Sequence, residues 1–113
     1  MKYALLIYPG DTAGYEGLSE EQRQSITGEY LAIAQEPGVV GAEQLQPGET
    51  ATTIRVEDGK TLTTDGPFAD TKEILGGLYV LEAQDLDRAL EVAARIPAAR
   101  LGGAVEVRPL VER

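Results

Sequence analysis

The sequence predicts an α+β chain whose elements follow the order strand, helix, strand, hairpin, strand, helix, strand. Three observations carry this. Residues 3–8 and 74–81 are apolar runs without polar alternation, as expected of strands buried on both faces. Residues 19–36 and 85–96 place apolar side chains at helical spacing between recognisable start and stop signals. Between them, Asp58-Gly59 joins two strand-like stretches in the manner of a type I′ hairpin turn. This order is the split βαβ arrangement of ferredoxin-like folds, βαββαβ with an inserted β-hairpin, and at 113 residues the chain forms a single domain, 1–113.

Each element has a local cause. The first strand ends at Pro9-Gly10-Asp11, and residues 9–18 read as a loop holding Asp11, Thr12, Tyr15 and Glu16. Ser19-Glu20-Glu21-Gln22 is a capping box, the Ser hydroxyl accepting from the Gln22 amide while the Gln side chain reaches back. Ile26, Tyr30 and Ile33 then give one core stripe, and Pro37-Gly38 stops the helix. Gly28 inside it costs about 1 kcal/mol relative to Ala, so a close contact with a strand backbone is expected there.

Residues 39–45 form the second strand, with Val40 and Ala42 on one face and Val39, Gly41, Glu43 and Leu45 on the other. Residues 52–57 and 60–64 make the hairpin, in whose register Glu57 faces Lys60. The strand over 74–81 carries Gly76-Gly77 in its middle, marking a bulge or the close approach of another backbone. Asp85 caps the second helix, with a stripe of Leu86, Ala89, Leu90, Ala93 and Ile96 closed by Pro97, and Val105-Glu106-Val107-Arg108 alternates as the last strand.

Composition narrows the chemistry. The chain has no Cys, His or Trp, which removes thiol redox work, a Cys nucleophile and ordinary zinc sites; a metal would need a carboxylate site, and no calcium-loop pattern is present. Nineteen acidic and ten basic residues give a net charge of −9, which disfavours nucleic acid and anionic membranes. The first apolar run is too short for a signal peptide or a membrane span, so the expected location is cytoplasmic.

Functional groups cluster in one stretch, Asp65-Gly66-Pro67-Phe68-Ala69-Asp70-Thr71-Lys72-Glu73, a tight turn leading into the apolar run from Ile74. This stretch, followed by Leu75-Gly76-Gly77, resembles the signature of the DGPF subgroup of YCII-related (YciI-like) proteins, whose usual form has Glu where this chain has Asp70. The likeness extends to Lys2-Tyr3-Ala4-Leu5-Leu6-Ile7-Tyr8, to Gly41-Ala42-Glu43-Gln44-Leu45-Gln46-Pro47, to Arg95-Ile96-Pro97-Ala98-Ala99-Arg100 and to Ala104-Val105-Glu106-Val107-Arg108-Pro109. It implies a ferredoxin-like chain that dimerises into an α/β barrel around a cleft. Some YciI-like relatives are small-molecule lyases or dehalogenating enzymes with a proposed catalytic His and Asp. This chain lacks His, so only the acidic, Lys and Thr positions of the signature carry over. The likeness also implies a link to extracytoplasmic-function sigma factors.

The residues themselves lead to a dimer by another route. Two right-handed crossovers place both helices on one side of the sheet, leaving the other side of the doubly apolar strands bare. A second copy is the economical cover, giving a two-fold homodimer. In its cleft Asp65, Lys72 and Glu73 are the candidate catalytic groups, and Glu43, Phe68, Asp70, Thr71 and Tyr8 the candidate ligand-binding ones. A carboxylate among Leu, Ile and Val can shuttle a proton, and a nearby Lys can hold an anionic group, which suits cofactor-independent elimination or isomerisation of a small organic molecule. Structural roles compete: an Asx turn for Asp65, solvation for Lys72 and Glu73, a core plug for Phe68. An enzyme, a small-molecule-binding or regulatory module, and a purely structural oligomer therefore all stay open.

Overall fold

The computed structural model describes residues 1–10, 13–68 and 73–113. Its strands are β1 (Lys2–Tyr8), β2 (Val39–Gln44), β3 (Thr52–Glu57), β4 (Lys60–Asp65), β5 (Gly77–Glu82) and β6 (Ala104–Pro109). Its helices are α1 (Ala13–Glu16), α2 (Glu20–Ala34) and α3 (Leu86–Ala94). Four strands pair antiparallel in the order β2-β5-β1-β6, while β3 and β4 pair with each other as a separate ribbon. This mixed α+β architecture is compatible with a ferredoxin-like fold.

The capping box forms as expected: Gln22 N–H donates to Ser19 Oγ at 3.1 Å and Ser19 N–H to Gln22 Oε1 at 2.9 Å. Asp85 caps α3 by accepting from Arg88 N–H at 2.9 Å. Pairing assigns each strand's faces. Tyr3, Leu5 and Ile7 of β1 lie beside Leu81, Tyr79 and Gly77 of β5, and this side is sealed by Ile33 of α2, by Ala89, Val92 and Ala93 of α3, and by Ile96. Each such aliphatic side chain removed from water contributes roughly 1.5–3 kcal/mol before entropy is counted. The Tyr79 hydroxyl crosses this core to donate to the Tyr30 carbonyl at 2.7 Å, joining β5 to α2. Burial pushes the Tyr79 phenol up to about 12, so the donor keeps its proton at ordinary pH.

Several expectations are corrected. Residues 13–16 form one helical turn inside the segment read as loop. The strand read over 74–81 begins only at Gly77, so Gly76-Gly77 sits at its start. The close-approach reading holds: a Cβ on Gly77 would stand 2.8 Å from the Glu43 carbonyl oxygen of β2. In β2 the register advances from the Val39–Leu81 pair to the Gly41–Val80 pair, so one extra residue bulges at Val40. Val39 thus joins the covered side while Gly41 and Glu43 go to the other, and the simple alternation fails. On α3 the buried stripe is Ala89, Val92, Ala93 with Ile96 beyond it, leaving Leu86 and Leu90 about half exposed on the flank.

Gly28 meets nothing within 4 Å, so no strand packs on it and its helical cost is uncompensated. Gly28→Ala is expected to raise the unfolding free energy by about 1 kcal/mol, read as a higher urea midpoint at unchanged slope.

The two helices are clamped by charge. Glu36, just after α2, accepts from Arg88 at 2.8 Å and from Arg95 at 2.8 and 3.2 Å. Hydrogen bonds from Arg95 first and Arg88 second hold its carboxyl down to about 2, against an ordinary value of 4.5. A carboxyl depressed in the folded state stabilises it above the unfolded value, and that contribution is lost as pH falls from about 4.5 through about 2. Unfolding free energy measured across that window should therefore fall less steeply for Glu36→Gln than for the unaltered protein.

Candidate functional site

One end of the sheet gathers the C-terminal end of β1, the exit of β2 and the approach to β5. Leu45 N–H donates to the Gly76 carbonyl at 3.0 Å and Gly76 N–H to the Ile7 carbonyl at 2.8 Å, so three segments meet there. Beyond β2, Pro47 accepts from both the Thr50 amide at 2.9 Å and the Thr50 hydroxyl at 2.7 Å, which curls residues 47–51 into a tight turn. Gly66 N–H then donates to the Ala51 carbonyl at 2.7 Å, closing the base of the β3–β4 ribbon.

Two clefts open from this junction. The first, of about 470 Å³, has mainly apolar walls from Leu45, Pro47, Pro67, Ile74 and Leu75, with Tyr8, Thr50 and Glu73 among its polar groups. The second, of about 620 Å³, runs along β6 between Gly102-Gly103 and Glu106 and again includes Tyr8 and Glu73. Both volumes suit a small organic ligand. Tyr8 and Glu73 line both clefts, so a tyrosine and a glutamate border the two spaces together. Such a pair can take up and return a proton on a bound molecule.

The other sequence-derived candidates scatter. Asp65 ends β4 opposite Thr52, is exposed, and lines neither cleft. Glu43 projects from the uncovered sheet side beside Leu78. Phe68 neither plugs the core nor walls a cleft: it is 74% exposed, with the Arg55 guanidinium carbon 5.6 Å from its ring centre. Cation–π attraction to a charged ribbon explains its position better than burial does. Asp70, Thr71 and Lys72, like Asp11 and Thr12, lie outside the described residues. Among the described residues no cluster of three or more acidic groups is arranged to hold a metal ion.

Sequence reading passed over the walls. Gly102-Gly103 matches no phosphate-binding spacing, yet both glycines border the second cleft, and a side chain at Gly103 would collide with the Tyr8 carbonyl. The detectable signal is a pair of glycines at the entry to each strand that flanks β1, found at both 76–77 and 102–103. The YCII-related domain matches residues 1–113. The chain belongs to the YCII-related family. A relative in Rhizobium meliloti (strain 1021), the uncharacterized protein R00369, is 36% identical over 115 residues, covering 97% of this chain and 92% of its own. The YCII-related domain therefore includes every residue of both clefts.

Because the Glu43 carbonyl cannot retreat without disturbing the β2–β5 ladder, Gly77→Ala is expected to cost roughly 1–3 kcal/mol. Urea unfolding of the variant measures this, and a cost below about 0.5 kcal/mol would show that the two strands separate freely at the cleft floor.

Proposed function

We propose that this YCII-related protein is a cytoplasmic homodimer of the DGPF type whose cleft takes a small organic molecule. Within it, Glu73 and Tyr8 act as a proton-transfer pair in a cofactor-independent lyase or isomerase reaction. The observation that carries the reading is their shared position on the walls of both clefts. Glu73 is the group that gains or loses the proton, and Tyr8 donates a hydrogen bond to the developing negative oxygen. Asp65 is left to the ribbon, where it supports the turn into the signature rather than the reaction.

The dimer and its barrel rest on the uncovered side of the sheet. Leu6, Leu78 and Val80 share that side by register, and Val40 is 62% exposed beside them. A second copy stacked on this side would turn the two half-open clefts into enclosed ones, raising the value of every polar contact inside. With the β3–β4 ribbon as an insertion, each protomer supplies one ferredoxin-like half of the barrel.

A second reading has its own support. Among the described residues the first cleft carries one acidic residue, Glu73, among largely apolar walls, as a binding pocket would. In that case the protein is a ligand-responsive module, and the sigma-factor link implied by the DGPF resemblance supplies its partner. A thermal-shift screen of small organic acids, amides and carbonyl compounds should find ligands that raise the melting temperature of the unaltered protein. For any compound that is also converted, Glu73→Gln should slow turnover by about 10² or more with the fold intact. Unchanged turnover would remove the acid–base role, and binding without conversion across the screen would favour the module.

Self-association is tested separately. Sedimentation should give twice the 12.1 kDa chain mass at micromolar concentration, and Val40→Glu should shift it to one chain mass. A single chain for the unaltered protein would end the dimer reading.

A further inference from the structure

We propose that the first cleft holds the hydrocarbon part of the substrate, and that Gly48 and Ile74 set how large that part can be. The substrate class is then a carbonyl compound bearing an aliphatic group of a few carbons. This deepens the proton-transfer reading and rests on it for the position of the carbonyl, which Tyr8 and Glu73 hold.

The walls of the cleft are hydrocarbon fixed in place yet left in water. The Leu45 amide donates to the Gly76 carbonyl at 3.0 Å, and Gly76, next to Leu75, donates to the Ile7 carbonyl at 2.8 Å. Pro47 is held by its two bonds from Thr50, and Pro67 follows Gly66, whose amide donates to the Ala51 carbonyl at 2.7 Å. Backbone bonds between separate segments thus shape the space before a ligand arrives, as in most small-molecule sites. Leu45 and Ile74 are nonetheless 45% and 37% exposed. The chain does not fill the space itself: Phe68, directly after the wall residue Pro67, turns to Arg55 instead. A bound alkyl group takes this hydrocarbon out of water.

Polarity within the cleft is uneven. Thr50 directs its hydroxyl hydrogen to the Pro47 carbonyl, and the other polar side chains among the described residues are Tyr8, Gln46 and Glu73. Tyr8 and Glu73 also line the second cleft, together with Gly102, Gly103 and Glu106. A carbonyl held at these two residues therefore has hydrocarbon walls in one cleft, and glycine backbone with a carboxylate in the other. An alkyl group is better placed in the first, where it displaces water from carbon and leaves the carboxylate solvated. Ile74 follows Glu73 directly, so this wall and the proton-transfer group share one piece of backbone.

Gly48 limits the size of the guest. A Cβ there would stand 3.0 and 3.1 Å from Cγ2 and Cδ1 of Ile74, and 3.7 Å from Cγ of Pro67. The absent side chain keeps open the space between these two walls. Gly48 lies outside the left-handed region, so alanine fits its backbone, but the added methyl crowds Ile74. Trimming Ile74 has the opposite effect.

The probes are straight-chain methyl ketones from 2-butanone to 2-octanone, titrated into the full chain and followed by NMR of backbone amides and of Ile and Leu methyl groups. Affinity should rise about two- to fourfold for each added methylene until the cleft is full, with the largest shifts at Leu45, Ile74 and Leu75. Gly48→Ala should shorten the best-bound ketone by about one carbon, and Ile74→Ala should lengthen it. A general loss of structure cannot move the length preference in opposite directions, and should Gly48→Ala not fold, Ile74→Ala decides alone. Affinity independent of chain length, shifts confined to Val105 and Glu106, a length preference unmoved by the variants, or no shift with any ketone would each overturn the subsite. The titration reads binding and not turnover. A failed acid–base role in the Glu73→Gln kinetics therefore leaves the subsite standing, and a failed length dependence leaves that role standing.

Discussion

A four-stranded sheet has two sides, and α2 and α3 seal only one of them. From this imbalance the rest of the molecule follows. The sealed side concentrates the large buried side chains, Tyr3, Leu5, Leu81, Val92 and Ile96. The other side keeps Leu6, Leu78 and Val80 partly in contact with water and carries Lys2, Glu82, Glu43, Glu106 and Arg108 around them. Hydrophobic free energy scales with area removed from water, so an arrangement that leaves so much of one side wet is stable mainly through the other.

That dependence explains the polar fastening of the helices. Tyr79 donates into the last turns of α2, Glu36 receives both Arg88 and Arg95, and Arg100 reaches Glu29 of α2 at 2.6 Å. Exposed ion pairs contribute little singly, but these converge on one seam between α2, α3 and the segment after α3. They fix how the helices lie on the sheet, and thereby where β1 and β6 deliver Tyr8 and Glu106 to the clefts.

Much of the fold was legible from the residues. Caps at Ser19 and Asp85 are read from local chemistry, and Asp58-Gly59 takes positive φ values of 51° and 78°, as a type I′ turn demands. Strand order follows from the alternation of elements. Less visible were features set by tertiary contact. The Val40 bulge exists because β5 leaves β2 one residue too long, which no local pattern announces. Leu86 and Leu90 have the right spacing for burial but lie on the wrong flank of the stripe led by Val92, a choice made by the sheet beneath. Of the candidate site, Tyr8 and Glu73 both line the clefts, whereas Phe68 is drawn outward by Arg55. The apolar walls at Leu45, Pro47 and Ile74 could not be assembled from sequence, because they join three segments brought together only by the turn at 47–51.

The surplus residue at Val40 acts as a phase change within β2. Before it, odd-numbered side chains look toward the helices; after it, they look away. Glu43 owes its place outside the core to this shift of parity, since an unbroken strand would aim its carboxylate into hydrocarbon, where no partner waits. A single inserted position thus lets one short strand serve the interior with Val39 and the uncovered side with Glu43.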